Sequence, residues 1–212
     1  MAAMQAGLTG ADAVIAPSAA HARALRDVYG PLSVRVVHNG SRGMPSPAPR
    51  VSAVVTAGRL WDAGKAVDWL DRAAPGLAVP VVAAGSCAGP DGTVVRFPNL
   101  RCLGQLAPDR LATEFASATV YASMARYEPF GLAVLEAAGA GMALVLSDTP
   151  GFRELWNDAA IFVDTEAALR PALQRALADP APWAARAQAR SAAYTLDRMV
   201  DGTLAVHRSV TA

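Results

Sequence analysis

Short apolar runs alternate along this chain with stretches whose apolar positions recur at helical spacing. The runs Ala13–Ala16, Val34–Val37, Ala53–Ala57, Val79–Ala83, Leu100–Leu103, Thr119–Ala122, Ala143–Leu146 and Ala160–Val163 predict strands. Helical periodicity predicts Ala19–Val28, Ala66–Ala74, Pro108–Ser117, Gly131–Ala140, Thr165–Ala178 and Pro182–Ala193, with another helix near Leu196–Arg208. Short strands, each followed by a helix, imply βαβ units and a parallel sheet. The expected fold is therefore α/β, a doubly wound, Rossmann-like parallel sheet. Its crossovers should be right-handed, and its ligands should sit at the carboxyl ends of the strands.

One stretch breaks the alternation. Residues 41–50, SRGMPSPAPR, hold three prolines and no apolar period, which reads as a linker. Residues 1–40 contain about one βαβ unit, too little for a core of its own. Residues 51–194 make a complete α/β domain, and 195–212 add a C-terminal helix. The chain thus reads as one whole domain carrying the tail end of another.

Composition narrows the function. The 19 basic and 18 acidic side chains leave a net charge of +1, without the basic stripe that a nucleic-acid binder needs to displace phosphate counterions. Only one of the basic residues is a lysine, Lys65, and only five acidic residues are glutamates: Glu114, Glu128, Glu136, Glu154 and Glu166. Against that skew an isolated lysine or glutamate stands out. Cys87 and Cys102 show no metal-ligand spacing and His21, His38 and His207 are scattered, so two free thiols in a reducing cytoplasm are expected and no metal. Pro129 to Ser147 is nearly long enough to span a bilayer, yet it contains Glu136 and three glycines; a buried helix followed by a buried strand fits better. The N-terminus lacks the basic and apolar regions of a secretory signal.

Three features fall at predicted strand ends. Gly58-Arg59-Leu60-Trp61-Asp62-Ala63-Gly64-Lys65 joins a strand to a helix. Its glycines, two cations and adjacent helix N-terminus suit a diphosphate, or they form an ordinary solvated loop. Next, Pro129 follows Glu128 at a helix entry, leaving the amides of Phe130, Gly131 and Leu132 free for sugar hydroxyls or a phosphate oxygen. Glu136, two turns on, would be costly to bury unpaired, so it should meet a protein donor or a ligand's diol. The third, Thr149–Glu154, reads as a capped turn opening a short helix, in which Glu154 only shapes the turn. Metal-binding Asp-x-Asp or His-x-x-x-His pairs, a serine nucleophile elbow and a Gly-x-Gly-x-x-Gly fingerprint are all missing.

Together these pieces resemble the retaining GT-B glycosyltransferases of the large family (family four) that includes sucrose synthase and bacterial mannosyl- and glucosyltransferases. EPFGLAVLEAAGAG looks like that family's Glu-x7-Glu segment, AGRLWDAGK like its Gly-Arg-Leu loop followed by a lysine, and LRCLGQL like the strand before its base contacts. ADAVIAPSAAHARALRDVYG with VRVVHNG resembles the closing βαβ of its acceptor domain. The lysine falls one residue later than usual, Ala66 stands where Gly or Asn is common, and Met124-Ala125 replaces a frequent Pro-Ser.

The resemblance implies that Arg59 and Lys65 hold and stabilise the donor's departing diphosphate and that Glu128 contacts the transferred sugar. It further implies that Gly58 and the amides of Phe130, Gly131 and Leu132 meet the donor, and that Glu136 accepts from its ribose. It implies a donor-binding half that needs no metal or other cofactor and transfers nothing by itself, its N-terminal domain missing. The orphan βαβ unit and the C-terminal helix should leave apolar surface and strand edges uncovered, so self-association is expected. A non-catalytic module docking on a separate acceptor-domain subunit, and an epimerase of the same fold, are the rival expectations.

Overall fold

The computed structural model describes residues 2–43 and 50–211. Most of the linker stretch, 44–49, lies outside the described residues. Among the described residues eight strands follow in chain order: β1 Val14–Ala16, β2 Val34–Val36, β3 Val51–Ala57, β4 Val81–Ala84, β5 Arg101–Gly104, β6 Ala118–Ser123, β7 Ala143–Ser147 and β8 Ala160–Val163. The helices are α1 Ala2–Thr9, α2 Ala19–Tyr29, α3 Val67–Ala73, α4 Pro108–Ser117, α5 Leu132–Gly139, α6 Pro150–Trp156, α7 Glu166–Ala178, α8 Ala181–Ser191 and α9 Leu196–Thr211.

β1 and β2 form a two-stranded parallel pair joined through α2, while the other strands form a six-stranded parallel sheet in the order β5-β4-β3-β6-β7-β8. The chain builds outward from β3 through β4 to β5, then returns to the far side of β3 and builds outward again. The reversal between β3 and β6 opens a crevice at their carboxyl ends, the ligand position of doubly wound folds.

Alternation within each strand divides the core in two. Val55, Tyr121 and Leu144 face α5, α6 and α8, packing on Leu135, Phe152, Trp156 and Ala187. Val54, Val120 and Val145 face α3 and α7, packing on Leu70, Leu169 and Leu173. Burial on both faces explains why β7, ALVLS, is buried throughout and reads as an unbroken apolar run. The edge strand β5 instead carries exposed Arg101, which discourages pairing with another chain.

Two helices exceed the expectation. α1 is exposed along nearly its whole length and has no apolar stripe to announce it. α6, expected only as the opening of a short helix, runs to Trp156 and buries Phe152, Leu155 and Trp156 completely. Thr149 sits at its N-cap without capping: its side chain makes no cap hydrogen bond, and Thr149 Oγ1 is buried without a partner. The expected capped turn is in this respect corrected. α9 runs beside the β1–β2 unit, where Ser41 bridges Thr195, Leu196 N–H donates to the Ser41 carbonyl at 3.2 Å, and Arg35 Nη1 donates to Ser209 Oγ at 2.5 Å.

Candidate functional site

A cleft of about 270 Å³ lies at the switch point between β3 and β6. It gathers Gly58, Arg59 and Lys65 from the loop after β3 with Glu128, Gly131 and Leu132 from the segment after β6. Six of the eight singled-out residues therefore share one cavity. Thr56, Tyr121 and Ser123 line it from the strands, and Asn39 enters from the segment following β2. Asn39 belongs to the small N-terminal unit, so nothing local in its sequence places it here.

The loop after β3 is shaped by Asp62. Its Oδ1 accepts the Gly64 amide at 2.9 Å, capping a single 3-10 turn over Ala63–Lys65, and its Oδ2 accepts from Arg59 Nη2 at 2.9 Å. Arg59 also lies 5.7 Å over the Trp61 ring, a cation–π contact, and its side chain remains 65% exposed. Close backbone approach fixes the base of the loop. Gly58 N–H donates to the Ala84 carbonyl at 3.0 Å, and a Cβ on Gly85 (φ +141°) would stand 1.7 Å from the Gly58 carbonyl oxygen. No other residue fits at position 85.

Lys65 reaches across the switch point. Its Nζ donates to Glu128 Oε2 at 2.5 Å, with both side chains largely enclosed. The Arg126 amide donates to the Gly64 carbonyl at 2.9 Å, a second tie between the two loops. Gly131 then turns at φ +85° into α5. Among the described residues, the amides of Phe130, Gly131 and Leu132 donate to no other protein group. They are the donors that a helix start leaves unpaired.

Two singled-out residues stand apart from the cleft. Phe130 is 2% exposed, its ring packed with those of His38 and Tyr194, so only its backbone can serve a ligand. Glu136 is half-buried on α5, and among the described residues its carboxylate makes no hydrogen bond or ion pair. Burial pushes its carboxyl above the usual carboxylate range. The expected protein donor is absent among the described residues.

Glu154 has a different role from the local turn expected of it. Its carboxylate accepts the backbone amides of Ala19 at 2.7 Å and Ala20 at 2.6 Å, capping α2 from α6. Negative charge at a helix N-terminus is favoured by unpaired amides and the helix dipole. Sequence reasoning had only Glu154's rarity as a signal. Nearby, the His21 ring and the Tyr127 hydroxyl meet at 2.5 Å, and burial lowers the His21 pKa. No cluster of three or more His, Cys, Asp or Glu placed to hold a metal occurs among the described residues, and none of their helices is long and apolar enough to cross a membrane.

Solved structures with the same architecture include the sucrose-phosphate synthase of Thermosynechococcus elongatus, 22% identical, with TM-score 0.84 over 98% of this chain and 60% of that one. Anabaena Alr3699/HepE, determined in complex with UDP and glucose, is 19% identical, with TM-score 0.82 over 98% of this chain and 66% of that one. A Rickettsia africae glycosyltransferase is 14% identical, with TM-score 0.77 over 96% and 64%. The chain spans less than two thirds of each. These likenesses show the fold, that of a GT-B C-terminal domain. Among curated proteins none matches. The family model described as "Glycosyl transferases group 1" matches residues 52–179, more than half of the chain, and the chain therefore belongs to that family.

Proposed function

We propose that this chain is the donor-binding part of a retaining glycosyltransferase of family four, taking a hexose from a nucleoside-diphosphate sugar. The observation that carries this reading is the meeting of Lys65 and Glu128 across the switch-point cleft, beside unpaired amides at the start of α5. Lys65 and Arg59 supply positive charge for a diphosphate, and the amides at 130–132 donate to sugar or phosphate oxygens. The enclosed ion pair gives the site a ready exchange: a diphosphate competes for Lys65, and Glu128 is released to accept from the sugar's hydroxyls. Glu136, half-buried and with no side-chain partner among the described residues, suits the ribose diol. Catalysis of this kind is positioning plus electrostatic stabilisation of a leaving group, with two side-chain cations in the place a metal would otherwise take. The likeness to HepE, solved with UDP and glucose, supports the donor class.

Calorimetric titration with UDP, GDP and ADP tests the reading. At least one should bind, and Lys65→Ala should weaken it by about 10- to 100-fold, the worth of a hydrogen bond to a charged group. Absence of binding by all three, or equal binding by the variant, rules the reading out. A second reading is a module docking on an acceptor-domain partner or on another copy of itself. It is favoured by exposed Ile15, Val28 and Val36 on the two-stranded unit. Transfer activity that appears only on adding a second polypeptide would select it.

A further inference from the structure

The turn that carries Glu128 is gripped by a helix from the other sheet. Ser18 is completely buried at the N-cap of α2. Its Oγ accepts the His21 amide at 3.1 Å and donates to the Pro129 carbonyl at 2.6 Å, across 111 residues of chain. The next two amides of α2, those of Ala19 and Ala20, go to the Glu154 carboxylate. α6, which carries Glu154, presses on the same turn: a Cβ at Gly151 would lie 2.5 Å from the Glu128 carbonyl oxygen. The carbonyls of Glu128 and Pro129 are thus fixed from α6 and from α2, and Glu154 locks those two helices together.

We infer that Ser18 and Glu154 are positioning residues for the donor site, Ser18 setting the Glu128–Gly131 turn from outside the six-stranded domain and Glu154 supporting it from α6 within that domain. Proline has no amide to donate, so its carbonyl is the one backbone handle at position 129. Gly131, at φ +85°, gives the turn little resistance of its own. Without the Ser18 hydroxyl, the turn would lose its hold on the amides of Phe130 to Leu132 and on the direction of Glu128. Glu154 acts one step further back, by holding α2 so that Ser18 faces Pro129. This inference rests on the donor-site reading above, and its test is built to fail separately from it.

The test compares wild type with Ser18→Ala, Ser18→Thr and Glu154→Gln in the full chain. Amide hydrogen exchange without ligand should quicken about tenfold in Ser18→Ala at Arg126 and Leu135, whose amides donate to the Gly64 and Gly131 carbonyls on either side of the turn, the equivalent of about 1.4 kcal/mol. β7 should exchange as in wild type. Ser18→Thr, which keeps the hydroxyl, should restore slow exchange, and Glu154→Gln should quicken both the start of α2 and the turn. In calorimetry with UDP and UDP-glucose, ADP and ADP-glucose, and GDP and GDP-mannose, Ser18→Ala should erase most of the sugar's contribution to affinity while leaving the nucleotide's own affinity within about twofold. Unchanged exchange at Arg126 and Leu135, or a uniform rise across the chain, overturns the inference. So does an equal loss for nucleotide and nucleotide sugar. If wild type binds none of the six ligands, the donor reading falls, and the exchange data still decide whether Ser18 and Glu154 set the turn.

Discussion

Ala66 adopts φ 46° and ψ 42°, the left-handed conformation, between the 3-10 turn ending at Lys65 and the start of α3. Such a backbone costs a residue with a Cβ about 1–2 kcal/mol. The Gly or Asn common at this position in the resembling family therefore has a conformational reason, and the departure noted in the sequence becomes local strain beside the cleft. Glu136 is the second residue whose environment makes a prediction. Its carboxyl is raised by burial, so the protonated form is favoured on folding. The stability it contributes is fully present below the unfolded carboxyl range near about 4.3 and is lost as pH rises through the higher folded value. Glu136→Gln should melt close to wild type at pH 4 and progressively above it toward pH 7, as followed by thermal unfolding at a series of pH values. The same variant should weaken nucleotide binding by about tenfold if the carboxylate meets the ribose. A gap in melting temperature that does not change with pH would exclude the buried-carboxylate account.

Among the elements, α6 is the hinge of the site. Seven residues long, it buries Phe152, Leu155 and Trp156 and brings Gly151 against the Glu128 carbonyl. Because the atom in the way is backbone, Gly151→Ala should cost about 1–3 kcal/mol in urea unfolding, as overpacking does, and should weaken nucleotide binding as well. A variant of wild-type stability and affinity would show that α6 does not press on the turn. The limits of α4 and β8 were legible to the residue, since Pro108 opens one and a fully apolar run defines the other. The full extent of α6 was not legible. A helix this short has little intrinsic stability, and its apolar positions make a helix only once β7 and β8 flank them. α1 failed for the opposite reason, being exposed and without a period.

At the scale of the molecule, the small β1–β2 unit is held by what lies outside it: α6 at one end and α9 along its side. Gly40 packs against the start of α9, where a Cβ would stand 2.1 Å from the Thr195 carbonyl oxygen and 2.7 Å from the Leu196 nitrogen. Gly40→Ala should therefore destabilise the protein by about 1–3 kcal/mol or more. Exchange protection should fall in β1, β2 and α9 while β6 and β7 keep theirs; loss spread evenly over both sheets would mean that the two parts unfold as one. The cleft depends on the same arrangement, because Asn39 lines it and Ser18 anchors its turn.

The order of apolar and polar positions by itself determined an α/β fold, the strands whose ends carry loops, and the two segments that could hold a ligand. Those properties follow from local burial, which period and punctuation record. Only the tertiary structure decided that Lys65 meets Glu128 63 positions away, that the Glu136 side chain is half-buried without a partner among the described residues, and that Glu154 caps a helix 135 residues earlier. Each of these depends on where the sheet reverses between β3 and β6 or on how α2 lies against α6. The free energy that fixes those placements comes from packing between distant elements, which no local stretch of sequence contains.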